Sequence, residues 1–252
     1  VTLAGSPTLK ATVSGGTPPS DDGEGSCGGA LSRDAIYRFV APVDGICTVK
    51  LSTTAFDGVL HLRETCSASG SEIGCKNDAG TNGTETIVFY AKANEDYFVF
   101  ADGATATAAG LFALQIELAP AQAVDSCPGQ ALTFTGSGIQ DRVAQATGDS
   151  SQVWPNFSLS CAAASTGAPD GVHSFTPNVS GILTVELTPT GWDGALSLRS
   201  TCDSAASELE CATAEPVVGK ETLEMWATSG TALYAVVDGA TATTSGPYVL
   251  DA

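Results

Sequence analysis

Apolar and polar residues alternate with a period of two along most of this chain, a pattern that predicts strands rather than helices. Residues 9–13, 36–41, 46–51, 59–63, 86–91, 97–101 and 111–117 are short runs of this kind, separated by glycine, proline, asparagine and aspartate. In the third run Cys47, Val49 and Leu51 share one face, with Thr48 and Lys50 on the other. In the fourth, Leu60 and Leu62 take the core while Val59, His61 and Arg63 point away. Asp44-Gly45, between the second and third runs, reads as a hairpin turn. Helical periodicity of useful length is absent, and 28 glycines with 12 prolines would interrupt it. Six or seven short strands in succession predict an all-β sandwich.

The pattern occurs twice. Residues 34–114 recur at 170–250 without a gap, at an offset of 136, and 31 of the 81 positions are identical. Asp57-Gly58 is matched by Asp193-Gly194, Arg63 by Arg199, and Cys66 and Cys75 by Cys202 and Cys211. Self-similarity at a fixed long period fixes the architecture before any motif is considered. It predicts two tandem, jelly-roll-like β-sandwich domains related by duplication, residues 1–120 and 121–252, with equal strand register and with insertions confined to the stretches before the shared spans. The Ala-Pro-Ala-Gln-Ala-Val stretch at 119–124 suits a short linker. Residues 131–135 open the second unit with a further strand.

Length and charge narrow the function. A chain of 252 residues with 43% apolar side chains can fill two cores. Aspartate and glutamate outnumber lysine and arginine 28 to 10, for a net charge of −18. That field repels phosphate backbones and anionic membranes, so nucleic acid is excluded as a partner. No run is long and apolar enough for a membrane-spanning helix, so membrane insertion is not expected. The sequence starts at Val1 without a leader and reads as a mature exported form.

Eight cysteines with no Cys-x-x-Cys spacing, and only two histidines, favour disulfides in an oxidising compartment over a zinc site. The repeat suggests how they pair. Cys66 with Cys75 and Cys202 with Cys211 would each close a hairpin-sized loop. Cys127 with Cys161 would tie the opening strand of the second unit to its core. Cys27 is then left for Cys47, whose alternative is a buried free thiol on the core face.

The succession Asp34-x-x-Tyr37-x-Phe39, Gly45, Phe56-Asp57-Gly58-Val59-Leu60-x-Leu62-Arg63, Cys66, Cys75 and Asp102-Gly103 resembles the bacterial pre-peptidase C-terminal domain, in its cysteine-bearing tandem variety. The second copy matches through Asp170, Phe175, Gly181, Trp192-Asp193-Gly194-Ala195-Leu196-x-Leu198-Arg199, Cys202, Cys211 and Asp238-Gly239. The resemblance implies a jelly-roll-like sandwich on secreted or surface proteins, often beside a protease and not itself catalytic. Some such domains bind calcium and an extracellular polymer.

Candidate chemistry is sparse. His61 aligns with Ser197 and His173 with Tyr37, so neither histidine recurs, and both lie inside strand patterns. No catalytic residue is assigned. Asp57 with Asp102, and Asp193 with Asp238, precede glycine and read as turn residues whose carboxylates bond nearby amides. Asp21, Asp22 and Glu24 form the most acidic loop and are the calcium candidates, against a simple solvated loop. No cofactor is required, and calcium is the one that would fit. Phe56 stands for Trp192 and Tyr90 for Trp226, a retention of bulk that predicts core positions. Trp154 has no counterpart and is the surface aromatic candidate for binding.

The expected function is that of a secreted or cell-surface bacterial module, non-catalytic and structural or adhesive. One alternative is a calcium-assisted accessory module holding a secreted protease on a protein or polysaccharide polymer. A further one is a fibre subunit assembling through exposed strand edges, for which the strand at 9–13 is the motive. The expected partners are an extracellular polymer, other surface proteins, or further copies of the chain.

Overall fold

The computed structural model describes residues 1–21, 23–136, 142–213 and 219–252. They contain strands and short 3-10 turns but no α-helix, and they divide into two compact units, Val1–Ala121 and Gln122–Ala252. In the first unit β1 (Leu9–Gly16), β8 (Leu111–Pro120), β3 (Gly45–Thr54) and β6 (Thr84–Ala91) form one sheet in the order β1-β8-β3-β6. The other sheet is β2-β7-β4-β5, from β2 (Ala35–Val40), β7 (Asp96–Gly103), β4 (Gly58–Arg63) and β5 (Glu72–Lys76). Every neighbouring pair in these sheets is antiparallel. This interleaving of eight strands in two sheets is a jelly roll.

Alternation places the core as the sequence predicts. Cys47, Val49 and Leu51 of β3 are buried and meet Leu60 and Leu62 of β4, Ile87 and Phe89 of β6, Val99 of β7, and Leu114 and Ile116 of β8. The Asp44-Gly45 hairpin is not formed, because β2 and β3 belong to different sheets. Asp44-Gly45 carries the chain from one layer to the other, with the Asp44 carboxylate accepting from the Ala93 amide at 2.7 Å. A dipeptide with turn propensity marks a change of direction, not which strand pairs next.

The second unit repeats this plan with β10 (Gln145–Asp149), β17 (Pro247–Asp251), β12 (Gly181–Pro189) and β15 (Glu221–Ala227) in one sheet. The other contains β14 (Glu208–Ala212), β13 (Gly194–Arg199), β16 (Leu233–Gly239) and β11 (Gly171–Phe175), extended by β9 (Gln130–Leu132). Register is conserved between copies. Gly58 faces Gly103 as Gly194 faces Gly239, and Gly45 faces Ala91 as Gly181 faces Ala227. Even the irregularity between Leu62 and Arg63 recurs between Leu198 and Arg199. β1 and its counterpart β10 break the 136-residue offset, since Val13 faces Leu114 whereas Ala146 faces Leu250. The length difference therefore lies before the shared span.

One feature departs from a plain two-layer sandwich. β4 and β13 are buried at every position, so the faces carrying His61 and Arg63, or Ser197 and Arg199, do not meet solvent. The segment before β2 crosses that outer face as a strap, and an equivalent strap precedes β11. The disulfides follow from this crossing and correct the pairing expected from sequence. Cys27 in the strap bonds Cys75 on β5, and Cys161 bonds Cys211 on β14. Cys127 bonds Cys202. None of the four expected bonds forms. Cys47 points into the core, where burial pushes its thiol up to about 12, and Cys66 is also free. Sequence proximity suggested hairpin closures, whereas Cys75 and Cys211 lie on the outer face of the sheet and meet what covers that face.

Candidate functional site

Each strap is held by a polar set that recurs in both units. Arg63 donates to the Glu24 carbonyl at 2.7 Å and the Cys66 carbonyl at 3.1 Å, with its guanidinium 4.6 Å from the Phe100 ring centre. Arg199 donates likewise to Ser158 at 2.7 Å and Cys202 at 3.4 Å, beside Phe157 at 5.4 Å. The Glu72 carboxylate accepts from the amide and hydroxyl of Ser26, and Glu208 does the same for Ser160. The Asp102 carboxylate accepts from the Ser32 hydroxyl and, at 2.7 Å, from the Gly103 amide; Asp238 accepts from Ser165 at 2.9 Å and Gly239 at 2.7 Å. Asp170 adds the Asn156 and Phe157 amides at 2.9 and 2.8 Å. Glycine is required where the strap touches the sheet: a Cβ at Gly29, whose φ is +92°, would collide with the Asp102 carboxylate.

Desolvation sets the charge states here. Burial raises Asp102 and Asp238 to about 6 and Asp170 to about 8, the last also through the neighbouring Asp238 charge. Burial lowers His61 to about 4, aided by Arg63, and lowers His173 to about 4. Ser32, Asp102 and His61 share one neighbourhood, yet the serine bonds the aspartate directly and His61 Nε2 lies 4.0 Å from that carboxylate. All three side chains are enclosed, and in the second unit Ser197 replaces the histidine. The three side chains form a buried anchor for the strap. Asp102 and Asp238 do bond the following amide as read from sequence, but at strand ends beneath the strap, whereas Asp57 and Asp193 each keep one buried carboxylate oxygen without a hydrogen-bond partner.

The sequence-derived candidates fare unequally. Asp21 and Glu24 are exposed, and Glu24 is engaged through its carbonyl; Asp22 lies outside the described residues. Among the described residues one cluster brings three metal-ligand atoms together, Cys127, Cys202 and Asp203, and its sulfurs are spent in a disulfide. Trp154 is half-buried, its amide bonded to Asp125 at 2.8 Å. Trp192 is a core residue as expected, its indole donating to the Pro247 carbonyl at 2.8 Å.

Trp226 is the correction. It is 63% exposed, and its cross-strand neighbour Ile182 is 70% exposed. On β15 Leu223 and Ala227 turn inward, so Trp226 must face outward with Thr222 and Glu224. That parity was readable from the sequence, and the bulk shared with Tyr90 obscured it. Around Ile182 runs a groove of about 570 Å³ lined by Phe134, Val179, Asn178, Ser180, Glu186 and Asp251, among others. An exposed indole and sec-butyl pair thus stands next to a groove edged with carboxylate, amide, hydroxyl and guanidinium groups.

No protein-family model and no curated protein sequence matches the chain. Similar solved structures include tripeptidyl peptidase 2, at a TM-score of 0.36 and 9% identity, covering 100% of this chain and 24% of that one. The chain thus spans about a quarter of the peptidase's length. The CUB1-EGF-CUB2 region of rat MASP-1 gives 0.28 and 9%, covering 95% and 96%. The tandem CBM22 domains of Paenibacillus barcinonensis Xyn10C give 0.25 and 10%, covering 97% and 86%.

Proposed function

We propose that the chain is a secreted, non-catalytic binding module of the pre-peptidase C-terminal kind, which holds an extracellular polysaccharide on the face bearing Trp226. The observation that carries this reading is the water-exposed Trp226–Ile182 pair beside a polar-edged groove. A pyranose ring has an apolar C–H face that stacks on an indole, and hydroxyls that donate to carboxylates such as Glu186, Glu224 and Asp251. Arg142 also lines the groove and Lys220 donates to Glu186 at 2.8 Å, so the mixed charge favours a neutral sugar. The enclosed positions of His61 and His173 support the non-catalytic part. Three disulfides support an oxidising, extracellular setting.

The test is co-sedimentation of the chain with cellulose, xylan, chitin and chitosan. Retention on at least one, weakened about tenfold or more in Trp226→Ala, is the expected result. Equal retention of that variant, or none on any polymer, would overturn the assignment.

A further inference from the structure

The groove beside Trp226 and Ile182 does not stop at the edge of its sheet. Phe134 and Asn178, which line it, are also walls of a second cavity of about 430 Å³, whose floor is β9, β11 and β16 of the other sheet of the same unit. There Ala131, Ser174 and Tyr234 are cross-strand neighbours in one row. Parity places that row outside, because Leu132, Phe175, Leu233 and Ala235 turn into the core. The row is not sealed as β13 is: Ala131 is exposed, and Ser174 and Tyr234 are half-buried.

The chemistry of the second cavity is unusual for this chain. Among the described residues, none that lines it is charged, in a protein of net charge −18. Thr133, Ser174, Thr176 and Tyr234 bring hydroxyls and Asn178 an amide, and among the described residues none of these side-chain groups has a hydrogen-bond partner. The fold does not require them. In the first unit Arg38, Val40, Pro42 and Phe98 stand at the positions of Ser174, Thr176, Asn178 and Tyr234, and Arg38 faces Phe98 in the same register as Ser174 faces Tyr234.

We propose that the second unit binds a single neutral polysaccharide chain along a continuous track, from Trp226 past Phe134 and Asn178 to a second sugar subsite on Tyr234. The inference rests on Trp226 as a sugar platform, and it adds where the chain runs from there and what form it has. Tyr234 offers a ring face to the apolar side of a pyranose, while Ser174, Thr176 and Asn178 meet its hydroxyls. A uronic or amino sugar would bring a charge with no counter-charge in this cavity. The track turns from the outer face of one sheet to that of the other, so it fits a separated, flexible chain and not the flat surface of a crystalline fibre.

Titration calorimetry of the intact chain with the trioses and hexaoses of the cello-, xylo- and N-acetylchito- series tests this. In at least one series the hexaose should bind about tenfold or more tighter than the triose, because it joins two subsites. Tyr234→Ala should bring the hexaose down to near the triose affinity, and Trp226→Ala should weaken both. The double change Thr176→Ala with Asn178→Ala alters only exposed side chains and should also weaken the hexaose, which keeps the test open if Tyr234→Ala does not fold. A hexaose no tighter than the triose, or one indifferent to these second-cavity variants, would overturn the inference while a loss in Trp226→Ala left the first platform standing. Binding indifferent to Trp226→Ala, or no binding in any series, would overturn the Trp226 reading and the continuous track with it.

Discussion

His173 Nε2 lies 2.8 Å from the Tyr248 hydroxyl, joining β11 of one sheet to β17 of the other inside the core of the second unit. In the first unit Tyr37 and Phe112 meet edge-on at the same two positions. The phenol has changed sides, and in both units a glycine, Gly15 on β1 or Gly148 on β10, leaves it room. Tyr248→Phe strands a buried imidazole and should destabilise the second unit by about 1–3 kcal/mol. The double change His173→Tyr with Tyr248→Phe recreates the other unit's pair and should recover most of the loss. Chemical denaturation of the three proteins measures this; an equally unstable double variant would show that the pair is not interchangeable.

The stability of the second unit should depend on pH through Asp170. A carboxyl whose folded pKa is raised binds more protons folded than unfolded, so its stabilisation is lost as pH rises from its unfolded value towards the folded one. For Asp170 that window runs from about 4 to about 8, and for Asp102 and Asp238 to about 6. His61 and His173, lowered to about 4, act oppositely, and their stabilisation is lost as pH falls below about 6.5. Between pH 6.5 and 8 only Asp170 among these titrates, so the second unit should lose melting temperature there. Asp170→Asn should flatten that dependence in scanning calorimetry of the intact chain.

Reduction should separate the units. Cys27–Cys75 spans 48 residues and Cys161–Cys211 spans 50, each worth about 4 kcal/mol in the chain-entropy model, and Cys127–Cys202 spans 75. With two bonds against one, the second unit should lose more stability on reduction. Non-reducing peptide mapping should recover these three bonds and two thiols, Cys47 and Cys66. A Cys66–Cys75 peptide would contradict the strap.

Trp226 should supply most of the tryptophan emission that acrylamide quenches, since Trp192 is enclosed. Trp226→Phe should remove that accessible fraction and shift the remaining emission to the blue. An unchanged quenching curve would place the indole indoors.

Much of this molecule was readable beforehand, where local chemistry and final position agree. Cys47, Val49 and Leu51 show their buried face by parity, and the ungapped match of Asp34 to Leu114 with the second copy carries the strand register through both. The straps were not readable. The stretch around Glu24 reads as a solvated acidic loop because its anchors, the Glu24 carbonyl, Ser26 and the Cys27 sulfur, meet Arg63, Glu72 and Cys75 far along the chain. Arg63 itself, charged and on the non-core face of β4, gives no sign of being buried until the covering segment is in place. The disulfides failed for the same reason: short loops were favoured when the bonds follow the crossing.

The unequal treatment of the two sheets sets what evolution and engineering can rewrite. At β4 and β13 the strapped sheet is committed on both sides, and at Gly29 even a methyl group has nowhere to go. The opposite sheet is committed on its inner side alone. On its outer side Ile46 and Ile182 persist, while Lys50 becomes Glu186, Val88 becomes Glu224 and Tyr90 becomes Trp226, with register unaltered. Charge and ring type have been exchanged there at no expense to the core. Grafted libraries intended to give this scaffold a new specificity belong on those outward positions of β3 and β6 or β12 and β15, where diversity is tolerated because the fold draws nothing from it.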